Sequence, residues 1–589
     1  MDTNVDTNYR VTGKNGAAPF SLTIHRGDGM LLLGMDWKVG RPPANFVGFA
    51  IQYREPGTDF FKNVRNRIGF PGQDVPEAGI RTTDAPIQKF RWVHFPFNAD
   101  LPGAFVYRVM PIFMGADGML TAGEAQEAEL ALMRETISGR LNVAFTRGFV
   151  SSQAFVRNFA AGGDLITLVP PDGDEGLTFV PTHTDAERAF GWMGFEARAE
   201  TLSLLERARD AGAEVRVIAY DLNLPEVVER LEALGPKLKV IIDDSARTKG
   251  HGRPNSPETH AAERLIASAG AANVKRQNMA NLQHHKSIAV RGGGINTVIY
   301  GSTNHSWRGF YVQSNNSLVV HSAKAVEDYF VAFESYFMAE RAADFMASAS
   351  SVGWHDLGLE GVDAKVAFSP HSKANGLLNE IGADIGTAGS SVFFSLAFLG
   401  QTTRGPIGPA LGRALRKPDV HVMGIADGRV AADNLGLTVF SPDNRRRVVR
   451  AAALTGNVPP PFLTEPSGLS GVHGNLRGTR MHHKFIVLDF DKPTARVYLG
   501  SYNFSEPADT ENGENLVLVR DRTVATSYMI EALRMYDHYR FRVAAEDGEE
   551  TGHPLELQLP PEAGEAAWFE RDWTDPVRAR DRQLFARAE

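Results

Sequence analysis

One feature constrains this chain more than any other: it carries the same unusual stretch twice. QHHKSIAV at 283–290 returns as MHHKFIVLD at 481–489, and Gly-Ser-x-Asn follows each copy, in YGSTN at 300–304 and LGSYN at 499–503. From Asn304 and Asn503 the copies run ungapped at an offset of 199, pairing Val320 with Val519 and Tyr329 with Tyr528. Both then enter amphipathic helical stretches, AVEDYFVAFESYF and VATSYMIEALRMYDHYRF. Upstream, VAFT (143–146) is echoed by VAFS (366–369), and EVRVIAYD (214–221) pairs with DVHVMGIAD (419–427), each after a helix-like segment. A chain repeated in this way folds as two like units, and the strand/helix alternation within each predicts an α/β class.

The repeated residues carry chemistry. His284 and Lys286 are two apart, as are His482 and Lys484, so on a strand each pair shares one face. SIAV and FIVL supply buried strand that holds them. An imidazole beside an ammonium suits a phosphate: the lysine neutralises oxygen charge while the histidine attacks or donates a proton. Ser302, Ser501, Asn304 and Asn503 add neutral donors on the next strand, after Gly301 and Gly500. One half-site is incomplete, because displacement at phosphorus needs both a nucleophile and an acid for the leaving alcohol. Two copies about a pseudo-twofold axis supply both.

H-x-K followed by G-S-x-N, duplicated in one chain, resembles the phospholipase D superfamily over roughly residues 140–545. The second copy, His482-x-Lys484-x4-Asp489 and then Gly500-Ser501-x-Asn503, fits that family's HKD pattern closely. The resemblance implies two αβα sandwich repeats with a cleft between them. It also implies metal-independent transfer through a covalent phosphohistidine, resolved by water or another alcohol, with no cofactor. Following the usual order of similar two-copy enzymes, His284 is the nucleophile and His482 the general acid. His285 or His483 takes the place of the motif histidine if the strand carries a bulge.

Two departures stand out. The family aspartate is Asp489 in the second copy but Arg291 in the first. Residue 489 is seven after His482, an odd offset that points it away from the catalytic face, so Asp489 is expected to be structural. Glu514, eleven residues after Asn503, aligns with Asn315. The resemblance implies that an acidic residue there orients a histidine by accepting from its ring N–H. If it backs His482, that histidine becomes the more readily protonated. Asn315 can accept but adds no charge, and is grouped with Ser302 and Ser501 as a substrate ligand.

Outside the repeat, FVGFAIQYR (46–54) and AFVYRVMPIF (104–113) alternate apolar and polar residues between turn-rich stretches. They predict a small all-β sandwich resembling a fibronectin or immunoglobulin module, with 123–135 as a last strand or a helix. The expected order is a loose arm at 1–17, the sandwich at 18–137, the first repeat at 138–346, a linker at 347–364, the second repeat at 365–545 and a tail at 546–589. The tail is expected to dock through Trp568 and Trp573.

Composition narrows the rest. With no cysteine, disulfides, thiolate metal sites and cysteine nucleophiles are excluded. A net charge of −8 argues against coating nucleic acid by bulk positive charge, though not against a local basic cleft. The first residues lack a secretory pattern and no apolar run reaches a membrane span, so a cytoplasmic protein is the default expectation, with signal-independent export left open.

Each motif also has a simpler reading. Adjacent histidines on a strand point to opposite faces and make poor joint zinc ligands. RGGGIN (291–296) reads as a hairpin turn rather than a phosphate loop, and DNRRRVVR (443–450) as a solvated helix face rather than a contact to a phosphate-rich partner. Trp307 and Phe310 suit core packing better than a substrate pocket. The leading expectation is a phosphodiesterase acting on a phospholipid or similar phosphodiester, with transient contact to a membrane surface. The apolar loop NVPPPFLTEPSGLSG (457–471) favours such a substrate. A nuclease and a decayed phosphate-binding module are the alternatives. Two half-sites in one chain predict a monomer.

Overall fold

The computed structural model describes residues 9–587 apart from 77, 97, 133–134, 148–154, 156–157, 164, 171–174, 247–249, 427–447, 451–480 and 552–554. The 457–471 loop and most of the 443–450 basic stretch therefore lie outside the described residues. The chain divides into two compact units, one of residues 1–136 with 526–589 and one of residues 137–525.

The first unit holds two antiparallel sheets. Arg10–Thr12, Phe20–Arg26, Leu31–Trp37 and Arg91–His94 form one; Leu120–Ala122, Ala104–Met114, Phe46–Arg54 and Lys62–Asn63 form the other. The 123–135 stretch resolves as a strand, Gln126–Ala131, paired to Ala104–Met114. Alternating residues of both sheets, among them Phe20, Ile24, Leu33, Phe49, Ile51 and Tyr107, share one core, which makes the unit a sandwich. The C-terminal segment completes it: Phe569 is in that core, and Trp568 and Trp573 pack against it. Arg91, buried, is held by Asp581 at 3.0 Å and by Asp537.

The second unit contains both repeats, and the duplication is visible in strand order. In the first half the order is Leu141–Phe145, Asn316–His321, Ile295–Gly301, Lys286–Gly292, Glu214–Ala219, Leu238–Asp243, Val274–Gln277. In the second it is Asp363–Ser369, Glu514–Arg520, Arg496–Gly500, Lys484–Leu488, Ser391–Leu396, His421–Ala426, Val448–Arg450, with His355–Asp356 added at the edge. The final three strands of each order run parallel and the others antiparallel.

This order corrects one pairing. The strand beside the motif strand is Glu214–Ala219 in the first half and Ser391–Leu396 in the second, with Ala219 opposite Lys286 and Leu396 opposite Lys484. EVRVIAYD therefore corresponds to the SVFFSLAF stretch, and the 419–427 segment corresponds to Leu238–Asp243. Both strands are buried parallel neighbours, which read as similar apolar runs. RGGGIN is a hairpin turn, with Arg291 opposite Asn296 and Gly293 and Gly294 at φ of 60° and 81°. The basic stretch ends in a strand, Val448–Arg450, rather than a helix.

Helix Ala323–Met338 covers the face of the first sheet opposite the motif histidine. Its Tyr336 hydroxyl lies 3.1 Å from His285 Nε2 and its Tyr329 hydroxyl 2.7 Å from Ser287 Oγ. His285 and His483 are fully buried. The motif strands carry no bulge, and the buried His284 and His482 stand two residues before Lys286 and Lys484.

Candidate active site

The two halves interlock where the motifs begin. Gln283 bridges Gly513 and Met481 bridges Ser314, so the residue before each motif histidine pairs with the residue before the Glu514 or Asn315 position of the other half. His284 N donates to Gly513 O at 2.8 Å and His482 N to Ser314 O at 2.9 Å. The approach is close enough that a Cβ at Gly513 would sit 1.9 Å from Gln283 Oε1.

This exchange redirects the acidic residue. Glu514 backs His284, with both carboxylate oxygens 2.8 Å from its Nδ1. His482 Nδ1 instead faces Asn315 Oδ1 at 2.9 Å and Ser302 O at 3.2 Å. The expectation that Glu514 serves His482, within its own copy, is therefore corrected: each histidine is oriented by the opposite half. Asn315 cannot flip, because its Nδ2 donates to Gly309 O at 2.9 Å while its Oδ1 accepts from Ser302 Oγ at 2.9 Å. Both Nδ1 atoms thus face acceptors and carry hydrogen, leaving Nε2 as the reactive nitrogen of each ring.

Ser302 and Ser501 sit behind the histidines. Both are fully buried; Ser302 holds Asn315, while Ser501 accepts from Asn515 N and bonds to Glu514. Their hydroxyls and Asn315 are spent on positioning, not on reaching substrate as the sequence suggested. Asn304 and Asn503 differ, since the amide oxygen of neither has a hydrogen-bond partner. Gly301 and Gly500 adopt φ of 147° and 139°, and a Cβ there would lie 2.2 and 2.3 Å from the carbonyl oxygens of Asn316 and Asn515. Only glycine permits that crossing.

The lysines are nearly sealed from solvent. Lys286 Nζ donates to His284 O at 2.6 Å; Lys484 Nζ donates to His482 O at 2.9 Å and lies 3.0 Å from His482 Nε2. Burial pulls Lys286 down to about 8, against the pull of Glu514, Asp221 and Asp243. Burial and the Lys286 charge hold Lys484 well below the ordinary lysine range. Burial, then the lysines, also push both histidines well below their usual value, with Arg308 adding to the effect on His482. Burial pushes Glu514 up to about 8. Such a crowd of cations, each depressed by the others, is relieved by an anion placed among them.

Each histidine–lysine pair also meets an aromatic ring from the strand beside it. Lys286 Nζ lies 4.7 Å from the Tyr220 ring centroid, and His284 packs on that ring at 4.7 Å. Lys484 Nζ lies 5.7 Å from Phe398, with His482 6.2 Å away. Tyr220, Asp221, Asp243 and His251 were not singled out in the sequence. Their one signal was position, because Tyr-Asp and Asp-Asp close two parallel strands at their carboxyl ends, where α/β sheets place sites. Trp307 and Phe310 are core residues; Trp307 Nε1 donates to Gly176 O and its ring packs on Phe179 and Phe190.

Asp489 points away from the histidines, at φ 52°, and accepts from the backbone N–H groups of Gly389, Ser390 and Ser391. Arg291, at the matching place, pairs with Glu214 at 2.9 Å and Glu327 at 3.0 Å on the surface. Among the described residues, no helix is long and apolar enough to cross a membrane.

Residues 195–337 and 385–536 match the family described as cardiolipin synthase, PLD-like domain, one segment on each half. Two curated relatives named phospholipase D, from Rickettsia prowazekii (strain Madrid E) and Rickettsia felis (strain ATCC VR-1525 / URRWXCal2), are 44% and 42% identical over 48 residues. That stretch is 8% of this chain and 22% of the length of each relative. Among solved structures, phosphatidylserine synthase of Haemophilus influenzae Rd KW20 is 12% identical with a TM-score of 0.38, over 66% of this chain and 92% of that one. Nuc of Salmonella typhimurium, a phospholipase D family member, is 22% identical with a TM-score of 0.20, over 24% of this chain and 86% of that one. Matched to one PLD-like domain twice over half of its length, this chain belongs to the phospholipase D superfamily.

Proposed function

We propose that the chain is a metal-independent phosphodiesterase that cleaves a phospholipid or similar phosphodiester through a phosphohistidine. The observation that carries this reading is the reciprocal pairing of His284 with Glu514 and His482 with Asn315 across the two halves. A phosphodiester between Lys286 and Lys484 has its charge met by both ammonium groups. His284 Nε2 attacks phosphorus, and the ester bond to the leaving alcohol breaks. Glu514 accepts from Nδ1–H and stabilises the positive charge that develops on the ring. His482 gives its Nε2 proton to the departing oxygen. The substrate anion offsets the cations that lower its proton affinity, so it is charged when the phosphate is in place. Water or an alcohol then loses a proton to His482 and attacks phosphorus, and the P–N bond to His284 breaks.

A nuclease would use the same chemistry, and a phosphate-binding module would use the same cleft without turnover. The intact second motif and the retained His284, Lys286 and Asn304 favour an enzyme over a binding module. Full-length protein should hydrolyse phosphatidylcholine or bis-p-nitrophenyl phosphate with EDTA present, and acid quench should trap a phosphohistidine that is absent from His284→Ala. Turnover by His284→Ala equal to that of wild type would sink the mechanism. Hydrolysis of single-stranded DNA alone, with binding that falls steeply with salt, would assign the nuclease instead.

A further inference from the structure

A second cluster of charge lies behind Tyr220. His251 Nδ1 is 2.8 Å from Asp243 Oδ2, and its Nε2 is 3.1 Å from Asp221 Oδ1 and 4.0 Å from Glu258 Oε1. The ring packs on Tyr220 at 4.4 Å, and Tyr220 in turn packs on His284 and lies under Lys286. Asp243 makes a second connection, since its other oxygen accepts from Gln283 N, the residue before His284, at 2.7 Å. Arg276 fixes the loop by donating to the carbonyl oxygens of His251 and Asp243, at 2.7 and 2.8 Å.

Ligand atoms of Asp221, His251 and Glu258 all lie within 4.8 Å of one another, a grouping that fits a cation. The cation is better supplied by the histidine itself. Both ring nitrogens already face carboxylates, which requires both to carry hydrogen. Burial opposes that charge, but Glu258, Asp221 and Asp243 outweigh it and hold His251 well above its ordinary value. Among the described residues, the charged and titratable groups around it are Asp221, Asp243, Glu258, Tyr220 and Arg276, with Lys286 and Arg308 acting on Asp221. Among the described residues, the second half has no acid in the place of Asp221. Tyr220 N donates to His285 O and Ala397 N to His483 O, so the residue that matches Asp221 is Phe398.

Given the phosphodiesterase reading, on which this rests, we infer that His251 is a positioning residue for Lys286 and His284, acting through Tyr220 and Asp243. The imidazolium divides the charge of Asp221 and Asp243 with Lys286 and clamps the ring on which His284 and Lys286 rest. Without it those carboxylates act undivided on Lys286, which keeps its proton to higher pH.

The test uses full-length protein and bis-p-nitrophenyl phosphate from pH 6 to 10. In His251→Gln, kcat should fall about tenfold with KM nearly unchanged, as the rings lose their alignment. The alkaline limb should move up by about one pH unit, and in Asp221→Asn it should move down by a similar amount. Opposite shifts are something a merely structural role would not produce. Both limbs moving the same way, or neither moving, overturns the inference while wild-type turnover stands. If His251→Gln melts below assay temperature, the downward limb in Asp221→Asn carries the test, and its absence overturns it. Histidine-ring NMR reads the charge without turnover: an inactive wild type with charged His251 at pH 7 overturns only the phosphodiesterase reading, whereas a neutral His251 overturns this inference.

Discussion

The two halves share a strand order and a histidine–lysine pair, yet they surround those pairs with different chemistry. His284 has a carboxylate on Nδ1 and a tyrosine backed by an acidic cluster; His482 has an amide on Nδ1 and a phenylalanine. Duplication supplied the scaffold twice, and divergence of single residues set a carboxyl group from the second half against His284 and an amide from the first half against His482. A nucleophile gains from a carboxylate that stabilises its developing charge, while an acid gains from surroundings that release its proton. The proposed roles, His284 as nucleophile and His482 as acid, rest on that asymmetry.

The strongest way to break this comparison is to neutralise the carboxylate. Glu514→Gln keeps the shape but removes the acid that can ionise against a charged His284 ring, and turnover should fall by about a hundredfold or more. The phosphohistidine should form more slowly in a rapid-quench experiment. If phosphohistidine formation is unchanged and only its hydrolysis slows, the nucleophile and acid are reversed.

The difference at Asp489 and Arg291 should appear in stability rather than rate. Asp489→Ala leaves the N–H groups of Gly389, Ser390 and Ser391 without their acceptor, and since that of Ser391 is buried the cost should be about 1–3 kcal/mol. Arg291→Ala removes surface ion pairs and the guanidinium's contact with the Phe330 ring at 4.1 Å, and should cost no more than about 1 kcal/mol. Denaturant melts compare the two, and equal losses would remove the distinction between a buried buttress and a surface pair.

The lysines sharpen it further. With burial holding Lys286 at about 8, its charge is present below that pH and lost above it. Phosphodiester KM should therefore rise by about tenfold for each pH unit above about 8. A KM flat to pH 10 would mean that Lys286 does not meet the phosphate.

Much of this was legible in sequence, and what was not has physical reasons. H-x-K parity places His284 and Lys286 on one face, and seven residues turn Asp489 away, because strand alternation is local. The partner of Glu514 was misread because cross-strand exchange between halves leaves no trace in spacing. It is written in bridges such as Gln283 to Gly513, which join residues 230 apart in their neighbours His284 and Glu514. The pairing of EVRVIAYD failed for a related reason. Two successive buried parallel strands look alike, and only register against the motif strand, Ala219 on Lys286 and Leu396 on Lys484, separates them. The Tyr220–His251 network stayed hidden because its members are single polar residues on separate strands and loops.

The smallest expected effect comes from making the halves alike. Asn315→Asp places a carboxylate against His482 Nδ1 and raises that ring's proton affinity, so the acid stays protonated to higher pH. The new oxygen also faces Gly309 O, which Asn315 Nδ2 now satisfies, so some stability is lost. On the proposed mechanism an alkoxide leaving group needs its proton from His482, whereas p-nitrophenolate does not. At pH 8 the variant should therefore gain about two- to fivefold on an alkyl phosphodiester relative to bis-p-nitrophenyl phosphate. An equal change on both substrates would mean that His482 is not the acid, and that the carboxylate on one half and the amide on the other do not divide the labour of the two histidines.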